Sequence, residues 1–408
     1  MATATTPTLD PATAAVLDRA AAAPMLAQTE AWATVNSGSG NLPGLATMAG
    51  LLADAFALLP GTLSLRDAAP GENIAPDGRR VAVEHGRNLH LVVRPEAPVR
   101  VLLTGHMDTV FAADHPFQTV TRLDAATLGG PGVADMKGGL SIMLAALTAI
   151  ETSPLAARLG YEVVVNSDEE VGSPGSAALI AAAARGKAVA LTYEPSALPD
   201  GTLAGARPGS GNFSIIFTGR SAHAGRNPED GRNAIVAAAD LAVRLRKSAT
   251  PRLSINPARI DGGGPNNVVP DHAILRVNMR PATPEDERRA RTFLESAVAM
   301  VAAEHDVRVH VHGGFGRPPK PLDPAAERLF AMVRDCGATL GQTIGWQPTG
   351  GVCDGNNIAA CGVPVVDTMG ARGGAIHSAD EYLLIDSLAE RARLSALVLL
   401  RLAEAGRP

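Results

Sequence analysis

Histidine and acidic residues follow apolar segments at several points of this 408-residue sequence. In the first example, the apolar residues 101–103 precede Gly105, His106 and Asp108. Such residues predict a buried strand, and sites in open α/β sheets form at the carboxyl ends of strands. An acid two positions after a histidine can accept the imidazole N–H and fix which ring nitrogen faces a metal. Taken alone, such a pair is more often a structural histidine, so the rest of the chain must decide.

A glycine-rich loop over residues 128–139 carries one acid, Asp135, near its centre. An apolar helix is predicted directly after it, at residues 140–150, and glycines before a helix often bind phosphate. Neither the dinucleotide fingerprint nor the P-loop spacing is matched, however, and a central acid would repel phosphate. Asp135 therefore indicates a cation site.

Three consecutive acids, Asp168, Glu169 and Glu170, end another predicted strand. They would repel one another unless a positive group lay nearby, although a solvated loop is the alternative. Two more candidates stand in similar places, because Glu194 follows a further predicted strand and His377 lies in a late loop. Strand after strand therefore ends in a residue that could bind a metal.

Six residues share this position: His106, Asp135, Glu169, Glu170, Glu194 and His377. A two-metal site needs oxygen and imidazole ligands, a carboxylate shared between the ions, and a base for the water between them. The six residues supply all three. Two zinc ions are favoured because imidazole with carboxylate suits a borderline ion, although cobalt or manganese would fit the same donors.

Composition restricts the class of protein. A formal net charge of −5 argues against nucleic acid or an anionic membrane as the main partner. Three irregularly spaced cysteines, Cys336, Cys353 and Cys361, predict reduced thiols rather than a disulfide framework or a Cys-ligated zinc site. Residues 1–7 lack the basic and apolar segments of a signal peptide, and no apolar run approaches about 18 residues. A cytoplasmic location is expected.

The order of predicted elements indicates two domains, as does a length beyond what one core usually supports. Strands alternate with helices in residues 1–207 and 314–408, which predicts a mixed, mostly parallel α/β sheet with helices on both faces. Residues 208–313 follow the order β-α-β-β-α-β of a ferredoxin-like α+β unit. We therefore expect one domain, 1–207 and 314–408, interrupted by an inserted second domain, 208–313.

The first quarter of the chain carries no chemical motif. Asp10 followed by a proline predicts the start of a helix that extends over residues 10–36, and a second helix is predicted at 42–59. Short strands at 80–83 and 89–93 are expected to lead into the main sheet.

Five motifs in order resemble those of the M20 metallopeptidases, most closely the glutamate carboxypeptidase branch. Their characteristic residues are His106 with Asp108, Asp135, Glu169 with Glu170, His223 and His377, and they occupy residues 104–110, 132–139, 167–173, 221–225 and 376–378. The resemblance spans about residues 80–400. It implies the fold of a zinc peptidase, in which residues 1–207 and 314–408 form the catalytic di-zinc domain and residues 208–313 an inserted lid and dimerisation domain.

The resemblance also implies roles for individual residues. Asp135 would bridge two zinc ions, one bound further by His106 and Glu194 and the other by Glu170 and His377. Among the remaining residues, Glu169 would be the general base, Asp108 would orient the site, and His223 would reach across a dimer to stabilise the oxyanion. The substrate contacts implied in the same way are Asn267, Arg280 and Arg317, and the peptide bond between Asp135 and Met136 is expected to be cis.

The implied activity is hydrolysis of the amide that joins an acyl or peptidyl group to a C-terminal amino acid, with glutamate favoured. An aminoacylase or deacetylase and a dipeptidase remain alternatives on the same fold, since motifs cannot separate them. Val352 and Cys353 replace a smaller, more polar pair of the family, which affects specificity rather than metal chemistry. A non-catalytic metal-binding scaffold is disfavoured because Glu169 and all five presumed ligands are intact.

Overall fold

The computed structural model describes residues 9–408. The prediction that the first seven residues form no signal peptide lies outside this range. The α-helices are α1 Pro11–Ala21, α2 Met25–Ala33, α3 Leu42–Phe56, α4 Gly138–Ile150, α5 Ala177–Ala184, α6 Ala234–Lys247, α7 Pro284–Glu304, α8 Pro324–Thr339, α9 Asp354–Ala360 and α10 Asp386–Ala405.

The strands of the described chain include several short pairs. In chain order they are β1 Thr62–Arg66, β2 Gly71–Ile74, β3 Arg80–Val83, β4 Asn88–Val93, β5 Val99–His106, β6 Thr121–Arg122, β7 Thr127–Gly129, β8 Leu159–Asn166, β9 Val189–Thr192, β10 Leu203–Ala204, β11 Ser210–Thr218, β12 Leu253–Gly262, β13 His272–Pro281, β14 Arg308–Arg317, β15 Trp346–Gln347, β16 Val365–Val366, β17 Gly373–Gly374 and β18 Tyr382–Leu384.

The main sheet has six strands in the order β1-β4-β8-β5-β9-β16. Strands β8, β5, β9 and β16 are parallel, whereas β1 and β4 pair antiparallel. Alternate side chains of β5 enter different cores: Val101 and Leu103 pack with α1, α3, α4 and α10, and Leu102 packs with α5 and α9. Burial on both faces explains why these strands are almost continuously apolar.

A separate four-stranded sheet has the order β12-β13-β11-β14 with antiparallel neighbours. Helices α6 and α7 cover one face and share with it a second hydrophobic core, which includes Phe217, Leu241 and Leu294. This is the predicted ferredoxin-like arrangement, and the predicted fold class is confirmed. The domain bounds stay a prediction, and the last strand of this sheet continues past position 313 to Arg317.

Two predicted elements differ from the structure. The helix predicted over residues 10–36 begins as expected, with the Asp10 carboxylate accepting backbone N–H groups of the first turn, but it is divided into α1 and α2. Pro24 precedes α2 and cannot donate the hydrogen bond that a continuous helix needs. Strand β3 does not join the main sheet; it pairs with β2 in a hairpin.

The two chain segments that connect the lid to the rest of the protein pair with each other. Arg207 and Lys320 exchange backbone hydrogen bonds of 2.9 Å in both directions. Both side chains contact the buried Asp367 carboxylate, the arginine Nε at 2.8 Å and the lysine Nζ at 2.9 Å. Asn356 donates to one carbonyl on each connection. Buried ionic and polar contacts therefore fix the base of the lid.

Residues 133–150, which contain α4, are long and apolar enough to cross a membrane by length and composition alone. This is weak evidence, because 94% of that window is buried inside the protein. The packing of α4 against α10 and α1 accounts for its apolar character.

Candidate metal centre

His106 is the last residue of β5, in the middle of the main sheet. Its Nδ1 lies 3.0 Å from the backbone carbonyl oxygen of Asp108 and 3.4 Å from the Asp108 carboxylate. A proton on Nδ1 would therefore be donated to the carbonyl, which leaves Nε2 free to act as a ligand. The sequence predicted that the Asp108 carboxylate accepts the imidazole N–H. In the structure the Asp108 carbonyl is the nearer acceptor, and the carboxylate mainly binds backbone N–H groups.

Asp108 organises the turn that carries the consecutive acids. Its two carboxylate oxygens accept the backbone N–H groups of Glu169 and Glu170, each at 3.1 Å. The hydroxyl of Ser39 also donates to this carboxylate, at 2.7 Å. Asp108 thus fixes the turn after β8 relative to the end of β5.

The five predicted ligands form two groups that share Asp135. In the first, His106 Nε2 lies 3.0 Å from one Asp135 oxygen and 3.6 Å from Glu194. In the second, His377 Nε2 lies 3.4 Å from the other Asp135 oxygen and 3.1 Å from Glu170. Each oxygen of Asp135 therefore faces one group, as a bridging carboxylate would.

The two groups differ in burial. His106, Asp135 and Glu194 are all buried. The second group is more open, since the side chain of His377 is 53% exposed. His377 also has a left-handed backbone, with φ of 63°, which is uncommon outside glycine and recurs at functional sites.

Electrostatics in the first group indicate excess negative charge. Burial raises the pKa of Glu194 to about 8, although His106 beside it acts in the opposite direction. Burial works against a charged His106, but the carboxylates of Glu194, Asp108 and Asp135 raise its pKa well above the usual value. Despite burial, hydrogen bonds from the two histidines hold the pKa of Asp135 below its ordinary value. His106 and Glu194 therefore hold protons more tightly in this group than they would in water.

The second group behaves in the same way. Hydrogen bonds to Asp135 and Glu170 raise the pKa of His377 to about 11. Burial raises the pKa of Glu170 to about 7, Asp135 adds to this shift, and His377 opposes it. A cation would replace these protons, because it neutralises the carboxylates more completely.

The residues fit two divalent cations. One oxygen of Glu194 is buried without a hydrogen-bond partner among residues 9–408, which leaves it available as a ligand atom. The two groups together offer two imidazoles and three carboxylates, the donors of hydrolytic zinc sites. The Asp135–Met136 peptide bond is cis, as the resemblance implied.

Glu169 lies beside the two groups without belonging to either. One of its carboxylate oxygens accepts from Arg317 at 2.7 Å, and the structure assigns the other oxygen no hydrogen bond within residues 9–408. Burial raises the pKa of Glu169 to about 8, even though Arg317 acts to lower it. A carboxylate with a pKa near neutrality is suited to general acid–base work.

Three supporting residues were not among the site residues predicted from the sequence. Ser39, from the segment before α3, contacts Asp108 as described above. Glu381 accepts three backbone N–H groups from the glycine-rich loop, including that of Asp135, each at 3.0 Å. Asp354, at the start of α9, binds Arg317. Glu381 could have drawn attention only by its acidic type, whereas Asp354 belongs to the loop of residues 350–355, which keeps the acid of the M20 pattern.

The predicted lid residues are placed differently from the ligands. His223 and Asn267 are exposed on adjacent loops, joined by a backbone hydrogen bond of 2.9 Å from Ala224 to Asn267. The recorded side-chain hydrogen bonds of His223 are those that its Nδ1 accepts from Gly225 and Arg226, at 3.1 and 3.2 Å. The single described chain thus does not bring His223 to the ligand groups.

The two predicted substrate-binding arginines also differ. Arg280 binds only neutral acceptors in the described chain, the Asn278 side chain at 3.1 Å and the Gly350 carbonyl at 2.8 Å. Arg317 is buried and forms ion pairs with Glu169 and Asp354. Arg280 therefore has no carboxylate partner within residues 9–408, whereas two carboxylates of the protein neutralise the charge of Arg317.

Comparison with known proteins agrees with this geometry. The family model described as Peptidase family M20/M25/M40 matches residues 102–401. Carboxypeptidase G2 of Pseudomonas sp. (strain RS-16) is 30% identical over 325 residues, which cover 78% of this chain and 77% of that protein. Indole-3-acetyl-aspartic acid hydrolase of Enterobacter agglomerans is 39% identical over 104 residues, 24% of each chain.

The fold is also shared with solved structures. The M20 family metallo-carboxypeptidase Sso-CP2 from Sulfolobus solfataricus superimposes with a TM-score of 0.69 at 15% identity, over 92% of this chain and 98% of that one. This similarity supports the architecture, and the family match supports the chemistry. The chain belongs to the M20/M25/M40 peptidase family and is a metal-dependent hydrolase.

Proposed function

We propose that this protein is a two-zinc amidohydrolase that releases a C-terminal amino acid, preferentially glutamate-like, from an acyl or peptidyl group. The observation that carries the proposal is the pair of ligand groups that share Asp135, with Glu169 beside them. Cobalt or manganese could replace zinc in the same donor set. The ligands are His106, Asp135, Glu170, Glu194 and His377.

When bound, the two ions would polarise the scissile carbonyl and make the attacking water more acidic. Glu169 would accept a proton from that water and later pass it to the leaving nitrogen. Its unpaired carboxylate oxygen and its pKa of about 8 support this assignment. Asp108 would keep Glu169 and Glu170 in place through their backbone N–H groups.

Recognition of the substrate carboxylate is assigned to Arg280. A planar guanidinium can bind a carboxylate through two parallel hydrogen bonds, and Arg280 has no carboxylate within ion-pair distance in residues 9–408. Asn267, on the loop beside His223, is the second proposed contact. Arg317 is not included, because two carboxylates of the protein already compensate it.

His223 is proposed as the oxyanion donor of a second subunit. Its Nδ1 accepts two backbone N–H groups, which favours the tautomer with the proton on Nε2, directed away from the loop. Exposed apolar residues on α6, Val236 and Val243, support a homodimer formed through the lid. The active site would then be completed across the dimer.

The preference for an acidic amino acid rests partly on a relative whose printed name is indole-3-acetyl-aspartic acid hydrolase. An aminoacylase is the second candidate, because Val352 and the buried Cys353 would suit an apolar side chain. The three free cysteines support a reducing, cytoplasmic location. The net charge of −5 argues against nucleic acid and an anionic membrane as partners.

The test is a panel of N-acyl amino acids with one acyl group and varied amino acids, together with their methyl esters. The parent should cleave the free acids and prefer glutamate, and Arg280→Lys should raise KM because lysine cannot form the planar pair. Arg308→Lys, on the exposed start of β14, is the matched control. Equal cleavage of methyl esters would exclude carboxylate recognition. Leucine or phenylalanine derivatives preferred by about tenfold would favour the aminoacylase.

A further inference from the structure

Arg317 is the last residue of β14, where the lid strand returns to the catalytic half. Its side chain is only 4% exposed. One terminal nitrogen donates to the Glu169 carboxylate at 2.7 Å, to the Glu169 carbonyl at 3.2 Å and to Ser173 at 3.0 Å. The other terminal nitrogen donates to Asp354 and, at 3.3 Å, to Asn357. The guanidinium thus holds both the side chain and the backbone of Glu169.

Asp354 is itself fixed by the catalytic half. Its carboxylate accepts from Asn166 at 2.8 Å and from Ser173 at 2.6 Å. Asn166 is the last residue of β8, so Asp354 is held by the strand that leads into the turn of Glu169. Asn166, Ser173 and Asp354 are all buried, and the hydrogen bonds among them restrict the motion of the Asp354 carboxylate, although Asn166 Oδ1 has no partner within residues 9–408.

This geometry conflicts with a substrate contact. A bidentate contact from a substrate carboxylate would need a terminal nitrogen of Arg317 that now binds Glu169 or Asp354, and displacing either would leave a buried carboxylate without this partner. Positioning Glu169 needs no such displacement, because Arg317 binds one carboxylate oxygen and the other remains available for water. A substrate-binding role and a positioning role therefore predict different effects of substituting Arg317.

We propose that Arg317 is a positioning residue that fixes the general base Glu169, with Asp354 as its anchor, and that it does not select the substrate. The proposal rests on the proposed function, in which Glu169 acts as the base. It also implies that the position of the base depends on the end of the lid strand β14, since Arg317 is the last residue of that strand and binds Glu169.

The decisive variants are Arg317→Lys and the double variant Arg317→Gln with Asp354→Asn. Lysine keeps the charge but cannot span both carboxylates. The double variant removes one positive and one negative charge together, so that Asp354 is not left as an unpaired ion, while Glu169 loses its ion pair with the guanidinium. Arg308→Gln, at the exposed start of the same strand, is the control for a lost strand arginine, and Arg280→Lys is the control for a lost substrate contact.

Four quantities separate the two roles: kcat and KM for N-acyl glutamate and N-acyl alanine, zinc content, and the Kd of free glutamate measured by calorimetry. A shifted base should lower kcat by about 100-fold for the double variant, by the same factor for both substrates. KM, zinc content and the glutamate Kd should stay within about twofold of the parent. Arg317→Lys should lie between the double variant and the parent, and should remain informative if the double variant does not fold.

The proposal is overturned if Arg317→Lys raises KM and the glutamate Kd while sparing kcat or sparing the alanine substrate, since this is the pattern of a substrate contact. Parent-like kinetics in both variants would overturn it equally. Failure of the proposed function has a different signature, namely a parent enzyme that cleaves none of the substrates. Crystal structures of the zinc-loaded parent and Arg317→Lys would then still test the proposal, because the Glu169 carboxylate should move only in the variant.

Discussion

The catalytic half and the lid hold their parts of the candidate site in different ways. On the catalytic side, His106 and Asp135 are buried, and backbone and side-chain hydrogen bonds fix the residues around them. On the lid side, His223 and Asn267 are exposed, and the contacts of their loops stay within the lid. The catalytic half is therefore already ordered, whereas under the proposed function the lid residues would have to move towards it or come from a second subunit.

This difference matters for catalysis. Groups that meet developing charge act best when they are oriented before the reaction, which is the state of the catalytic half. Under the proposed function, the lid loop would meet this condition only after lid closure or the approach of a second subunit. Variants in the two halves should therefore fail in different ways.

The largest effect is expected for Glu169→Gln. It should keep the fold and the zinc content but lower kcat by about 10³-fold, because the amide cannot accept the proton of the water. Steady-state kinetics and elemental analysis of the same sample check this.

The matched control is Glu170→Gln, one position along the same turn. It should lose zinc from the second group, since Glu170 lies 3.1 Å from His377. If Glu169→Gln stayed within about tenfold of the parent, the base would be another residue.

The structure brings together the five residues that the sequence predicted as ligands, because each lies at the end of a strand or in a loop beside one. The sequence could not reveal Ser39, which contacts Asp108 from 69 positions away in the chain. Glu381 was also missed, since its partners lie 246–249 positions earlier. Side chains that act through tertiary hydrogen bonds leave no periodic pattern. For Arg317, the sequence predicted the residue but could not show its two carboxylate partners.

On the lid side, His223→Ala should lower kcat by about 100-fold, the effect of losing one oxyanion donor. Because we place His223 in the partner's site, mixed dimers with Glu169→Gln should contain one site with both intact residues. Subunit exchange should therefore restore part of the activity.

The control is each inactive variant carried through the same exchange alone. Recovery should be measured in dimers shown to be mixed by two different affinity tags. No recovery in such dimers would mean that the lid closes on its own site.

A smaller effect is expected for Ser39→Ala, which removes one hydrogen bond to Asp108 without touching a ligand. If the lost hydrogen bond raises the activation free energy by about 1 kcal/mol, kcat should fall by about fivefold. Ser248→Ala, whose hydroxyl binds its own helix end on the lid, should have no effect on kcat. An equal loss in both variants would show that Ser39 acts only through general stability.

The central claim is the two-ion centre, and zinc titration of chelator-treated protein tests it most directly. Calorimetry at pH 8 should give two zinc equivalents, together with the return of activity. Affinity should fall at pH 6, because the pKa values of about 8 for Glu194 and about 7 for Glu170 mean that both carboxyls then hold protons which zinc must displace. One equivalent or none at pH 8, with activity unaffected by the chelator, would contradict the account.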